Sequence, residues 1–165
     1  MRKADLLTLF DYNYWANHQI LRTAERLSPE EFVAPSDITW RGLRGTLLHT
    51  LDVERSWRRR IRGEPRERWD VEPLEEDYPT ARSLALAWSD DEAEMRAWLD
   101  SLDDGSVERE IDLGPKDRFP LRVFLLHILT HSAQQRRDAA ILLTRVGHDP
   151  PEIDFLYYAD PPGDA

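Results

Sequence analysis

Residues Leu125–Asp138 read LLHILTHSAQQRRD, and the reading of the fold starts there. His127, His131 and Gln135 recur every four residues in a segment that reads as a helix. Side chains at that spacing stack on one helical face. Phe124, Ile128, Ala139 and Leu142 share the face, so the spacing predicts that the two imidazoles and the amide lie on a buried stripe. Buried imidazoles must be hydrogen-bonded or metal-bound. A distant segment, Leu47–Trp57, reads LLHTLDVERSW and supplies a further histidine, His49, on a second amphipathic run.

Working outward, the helix that carries His131 takes Pro120 into its first turn, runs to about Val146 and stops at Gly147. The helix that carries His49 spans about Leu43 to Arg62 and stops at Gly63. An N-terminal helix from about Lys3 to Leu27 has one stripe of Leu6, Phe10, Asn13, Asn17, Ile20 and Ala24. Ser28-Pro29-Glu30-Glu31 is a capping box that opens a short turn near Phe32. Residues 33–42 form a loop, and residues 63–79, with three prolines and many charges, form a long crossover. Thr80 caps a third long helix that reaches about Leu102, with Leu84, Trp88, Met95, Trp98 and Leu102 on its stripe. VEREIDL and DRFPL flank Gly114-Pro115-Lys116-Asp117, a turn that makes a short hairpin. The tail packs back through Phe155, Leu156 and Tyr158. The expected architecture is all-α: a single domain over residues 1–165, an up-down four-helix bundle with a long crossover loop and a short hairpin-like connector. The six Trp residues read as core and loop anchors.

Composition narrows the function. The chain has 165 residues, 41% of them apolar and 33% charged, enough for one domain with a real core. No apolar run is long enough to span a bilayer, the N-terminus carries no signal-peptide pattern, and the expected compartment is the cytoplasm. The chain has no cysteine, which excludes disulfides, thiolate zinc ligands and a protein thiol nucleophile. A net charge of −10 repels phosphate backbones, so nucleic acid is not an expected partner. The basic cluster Arg55, Arg58, Arg59, Arg60 and Arg62 reads as the solvated C-terminal turn of a helix. Glu54, five residues after His49, points off the histidine face and reads as one half of a surface or inter-helix ion pair. His18 and His148 read as exposed or loop residues.

These segments together resemble the DinB/YfiT-like superfamily of metal-dependent proteins. The likeness is carried by YNYWAN at Tyr12–Asn17, LLHTLDVERSW at Leu47–Trp57, IRGEP at Ile61–Pro65, YPTARSLALAW at Tyr78–Trp88, and Leu125–Tyr158. It implies a four-helix bundle, a homodimer and a soluble protein associated with stress responses. It also implies a metal site made by one His of the second long helix and two residues four apart on the last. In this sequence those positions are His49, His131 and Gln135. His127 matches a further family histidine that is usually not a ligand. Where the family reads His-Arg-Gly-Gln, this chain has Gln135-Arg136-Arg137-Asp138, so one imidazole is replaced by an amide.

Two readings of the site follow. In the first, zinc or nickel on His49, His131 and a weakly donating Gln135 activates a low-molecular-weight thiol in a transferase reaction on a small-molecule substrate. A variant of it shifts the site one helical turn, to His49, His127 and His131. In the second, the position has lost its metal. His49, His131, Gln135 and Asn17 then form a polar network inside a non-catalytic homodimeric binding protein.

Overall fold

The computed structural model describes residues 1–39 and 41–160. Trp40, expected to be an anchor in the loop 33–42, and the last five residues of the expected domain lie outside the described residues. Four long helices form the frame: α1 (Lys3–Ala24), α3 (Leu43–Ile61), α5 (Ala81–Asp100) and α7 (Leu121–Arg145). Short pieces join them: α2 (Pro29–Val33), α4 (Arg66–Trp69), a 3-10 turn at Glu75–Asp77, α6 (Asp104–Glu108), the strands β1 (Glu110–Asp112) and β2 (Arg118–Pro120), and α8 (Phe155–Ala159). The strands pair as the expected antiparallel hairpin, with Ile111 opposite Phe119.

Local chemistry explains the helix ends. Ser28 accepts from the Glu31 amide while Glu31 reaches back to the Ser28 amide, which closes the capping box. Thr80 caps α5 in the same way with Ser83. Gly63 and Gly147 have φ of 74° and 84°, the left-handed conformation that ends α3 and α7 at little cost.

Contacts along the rods set their directions. Glu25 pairs with Arg82, and Asp11 with Arg96, so α1 and α5 run antiparallel. Arg55 and Arg58 both reach Asp91, while Arg58 also reaches Glu94; the crossover has made α3 and α5 parallel. The sequence of directions is therefore up, down, down, up. α7 packs between α1 and α3 and lies diagonally opposite α5.

Two apolar clusters fill the bundle. One end holds Ile20, Leu48, Leu51, Leu84, Trp88 and Leu143; the other holds Leu6, Phe10, Met95, Leu121, Phe124 and Leu125. Between them lies a layer of buried polar groups: Asn13, Tyr14, Asn17, Glu54, Arg58, Asp91, Ser132 and Arg136. In this layer Arg58 is fully buried and not, as expected, part of a solvated turn. Its fork donates to both carboxylate oxygens of Asp91, at 2.8 and 2.6 Å, and to Glu94 at 2.7 Å. Arg60, also expected in solvent, donates to Asp117 at 2.7 Å and lies over the rings of Trp57 and Trp69. Glu54 is buried as well and accepts a hydrogen bond from the Tyr14 hydroxyl rather than forming the expected ion pair. The tail differs in one residue. Phe155 and Tyr158 pack on Tyr12 and Tyr158 on Trp15, but Leu156 is 73% exposed because the one-turn α8 turns it outward.

Removing one member of a buried ion pair leaves the other uncompensated. Asp91→Ala should therefore cost about 3–5 kcal/mol in urea unfolding, and the double variant Arg58→Met with Asp91→Leu should recover most of that loss. Equal destabilisation by the single and double variants would contradict the pairing.

Burial, reinforced by repulsion from Asp91, raises the Glu54 pKa from 4.5 to about 8. Between those values the folded chain holds a proton that the unfolded chain has released, so stability falls as pH rises across the interval. The slope is at most about 1.4 kcal/mol per pH unit. Glu54→Gln should flatten the slope, leaving the variant more stable than the parent at about pH 9 and similar at about pH 5. The same slope in both proteins would show that the carboxyl does not titrate as described.

Candidate metal centre

α3 and α7 lie side by side with more contact than any other pair of elements, and they run antiparallel. The His49 ring meets the His131 ring at 5.0 Å, nearly edge to face. Eight residues further along α3, Trp57 meets His127 and Phe124 at 5.1 and 5.5 Å. His127 and His131 are 6.2 Å apart. The imidazoles from the two helices do converge, and they do so along the α3–α7 seam.

The seam is not the buried stripe that the spacing suggested. His49, His131 and Gln135 are half-buried and His127 is exposed. The buried row of α7 is Leu121, Phe124, Leu125, Ile128, Ser132, Arg136, Ala139, Leu142 and Leu143. The histidine row begins one residue before Ile128, about 100° away around the helix. Ser132 and Arg136 hide the true phase, because an arginine on the inner row reads as a surface residue. Asn17, on α1, faces this inner row and takes no part in a network with His49. It accepts from Ser132 and Arg136, at 3.3 and 2.9 Å.

Electrostatics keep both seam imidazoles neutral. Burial, followed by the neighbouring His49 and His127, pushes the His131 pKa down to about 4. Burial and then Arg41 lower that of His49, against a weaker pull from Glu72. A neutral imidazole has the free lone pair that a metal needs.

The crossover closes over this part of α3. Glu75 ion-pairs with Arg44 at 2.8 Å. A side chain at Gly45 would meet the Glu75 carboxylate at 2.8 Å, so glycine lets the loop lie against the helix. A narrow crevice beside His49 is lined by Asp52, Glu72 and Pro73. A wider one of about 280 Å³ follows along α3, between Trp57, Arg60, Trp69 and Asp52. Burial raises the Asp52 pKa, and Glu72 adds to the effect.

The donor set can be tested against a metal by its spacing. An imidazole nitrogen sits about 2.1 Å from zinc, which places the ring centre about 3.2 Å from the ion. Two rings at a tetrahedral angle then have centres about 5.2 Å apart, close to the 5.0 Å of His49 and His131. The 6.2 Å of His127 and His131 approaches the limit of about 6.4 Å for rings straight across one ion. His131 Nδ1 is buried without a hydrogen-bond partner among the described residues, which leaves a donor atom to be satisfied. The ring spacing of the pair matches that of two ligands on one ion. The set stops at two imidazoles, because no group of three His, Cys, Asp or Glu side chains among the described residues is placed to hold one.

No helix among the described residues is long and apolar enough to cross a membrane. Among curated proteins, no relative matches at a significant level. The family model described as the DinB family matches residues 1–164, in agreement with the helical bundle. The chain belongs to the DinB family.

Proposed function

We propose that His49 and His131 hold a divalent metal, zinc or nickel, with the Gln135 amide as a weak third donor, and that the site activates a low-molecular-weight thiol for transfer to a small electrophile. The observation that carries this reading is the 5.0 Å approach of two neutral imidazoles, one with an unpartnered buried nitrogen. His127 is a poorer third ligand, since its ring is spent on an edge contact with Trp57.

An ion bound there supplies Lewis acidity that lowers the pKa of a bound thiol. The protein does the rest. His49 and His131 project from two rods held by the core, so their spacing is set before any ligand arrives. Trp57 and Trp69 offer apolar walls to the remainder of the substrate. Asp52 lines both crevices, and burial raises its affinity for a proton. The carboxylate can therefore receive the thiol proton as sulfur becomes the nucleophile.

A second reading rests on the missing third strong donor: a metal-free, non-catalytic homodimer that uses the same crevice for binding. Titration of untagged protein with Zn²⁺ and Ni²⁺ separates the two. On the first reading about one ion binds per chain, His49→Ala and His131→Ala each abolish binding, and Gln135→His tightens it by at least about tenfold. Thiol-transfer activity should rise with metal occupancy. Absence of binding in the parent, together with a gain in Gln135→His, supports the metal-free reading.

A further inference from the structure

A second polar feature lies on the face of α7 turned to α1. Arg136 is five residues beyond His131 and leaves the helix toward α1 rather than α3. It is 4% exposed. Its Nη1 donates to Asn13 Oδ1, to Asn17 Oδ1 at 2.9 Å and to Ser132 Oγ at 2.9 Å. All three partners are neutral, and no carboxylate among the described residues ion-pairs with it. The aromatic face of Tyr12 is 5.6 Å from its guanidinium carbon. The amides that turn their oxygens to Arg136 leave Asn13 Nδ2 and Asn17 Nδ2 buried and without a partner among the described residues. The cluster thus holds a buried guanidinium with no ion-pair partner among the described residues, an arrangement that is costly in a low-dielectric interior and favours an anionic acceptor.

Arg136 also forms part of the floor of a groove of about 700 Å³ between α7 and the segment that leads to α8. Ala140, Ile141, Pro150 and Ile153 supply apolar wall. Three acids, Asp149, Glu152 and Asp154, and two further arginines, Arg137 and Arg145, also line it. Glu152 and Asp154 accept from the amides of Ile153 and Leu156, and Asp149 is exposed.

We propose that this groove binds a small organic anion, its carboxylate or phosphate head on the Arg136 guanidinium and its apolar body against Ala140, Ile141 and Pro150. The planar fork of arginine suits either oxyanion. The site is separate from the histidine pair, so it stands or falls without the metal.

The test is a titration of the full ¹⁵N-labelled chain with hexanoate, with inorganic phosphate as a second arm and hexanol as the neutral control. Saturable shifts at amides in 136–145 and 149–154 with hexanoate, and none with hexanol, are expected. Phosphate that saturates the same amides would show that the head alone suffices; hexanoate that binds alone would assign a carboxylate with an apolar body. Arg136→Gln should weaken binding by at least about tenfold. Ile141→Asp, at an exposed wall position that leaves the core untouched, should weaken it several-fold even if the first variant fails to fold. Failure of both anions to saturate, hexanol binding as well as hexanoate, or unchanged affinity in Ile141→Asp would overturn the proposal.

Discussion

The middle of this bundle is polar, and the burial of charge there constrains everything around it. Arg58 has no exposed surface and answers to Asp91, one rod away. Charges taken out of water must meet partners in good geometry, and breaking such a pair costs far more than a surface bridge contributes. The pair therefore pins the register of α3 against α5. Asn13 and Asn17, meeting Ser132 and Arg136, do the same for α1 against α7. Apolar packing above and below supplies the driving force, but leucines and phenylalanines tolerate a slip that a forked arginine does not.

With the rods in fixed register, the placement of the seam follows. α3 is held on one side by Asp91 and packs on the other against α7, and His49 meets His131 at one height only. The crossover that makes α3 and α5 parallel must travel back along the molecule, and its return path covers the α3 surface beside His49. The same connection that sets the topology thus forms the walls of the crevice, with Glu75 seated against Gly45. α7 is consequently two-faced: it presents imidazoles to α3 and a guanidinium to α1.

Much of this was legible in the sequence. The capping box at Ser28–Glu31, the glycines after α3 and α7, and the stripe Leu6–Phe10–Asn13–Asn17–Ile20–Ala24 mark helices by local chemistry that tertiary packing did not override. The pairing of His49 with His131 was legible through the family likeness, since no local rule links residues so far apart. The buried charges were not legible. An arginine at the inner position of a helix has no signature of its own; Arg58 and Arg136 are identified only by what faces them, and Asp91 is a lone acid on an otherwise apolar stripe. The phase of α7 is hidden for the same reason, and its histidines lie shallower than their spacing suggests. Glu54 was misread because its partner is a tyrosine on another helix and not a cation.

On the proposed function an ion in the α3–α7 seam meets two imidazoles, and no third among the described residues completes the set. X-ray absorption at the zinc edge of the loaded protein tests it most directly, because imidazole rings give a multiple-scattering pattern that counts them. Two imidazoles are expected, with the remaining positions filled by oxygen. A count of three would bring His127 into the site and contradict the seam geometry, and a count of none would remove the histidine pair from the function altogether.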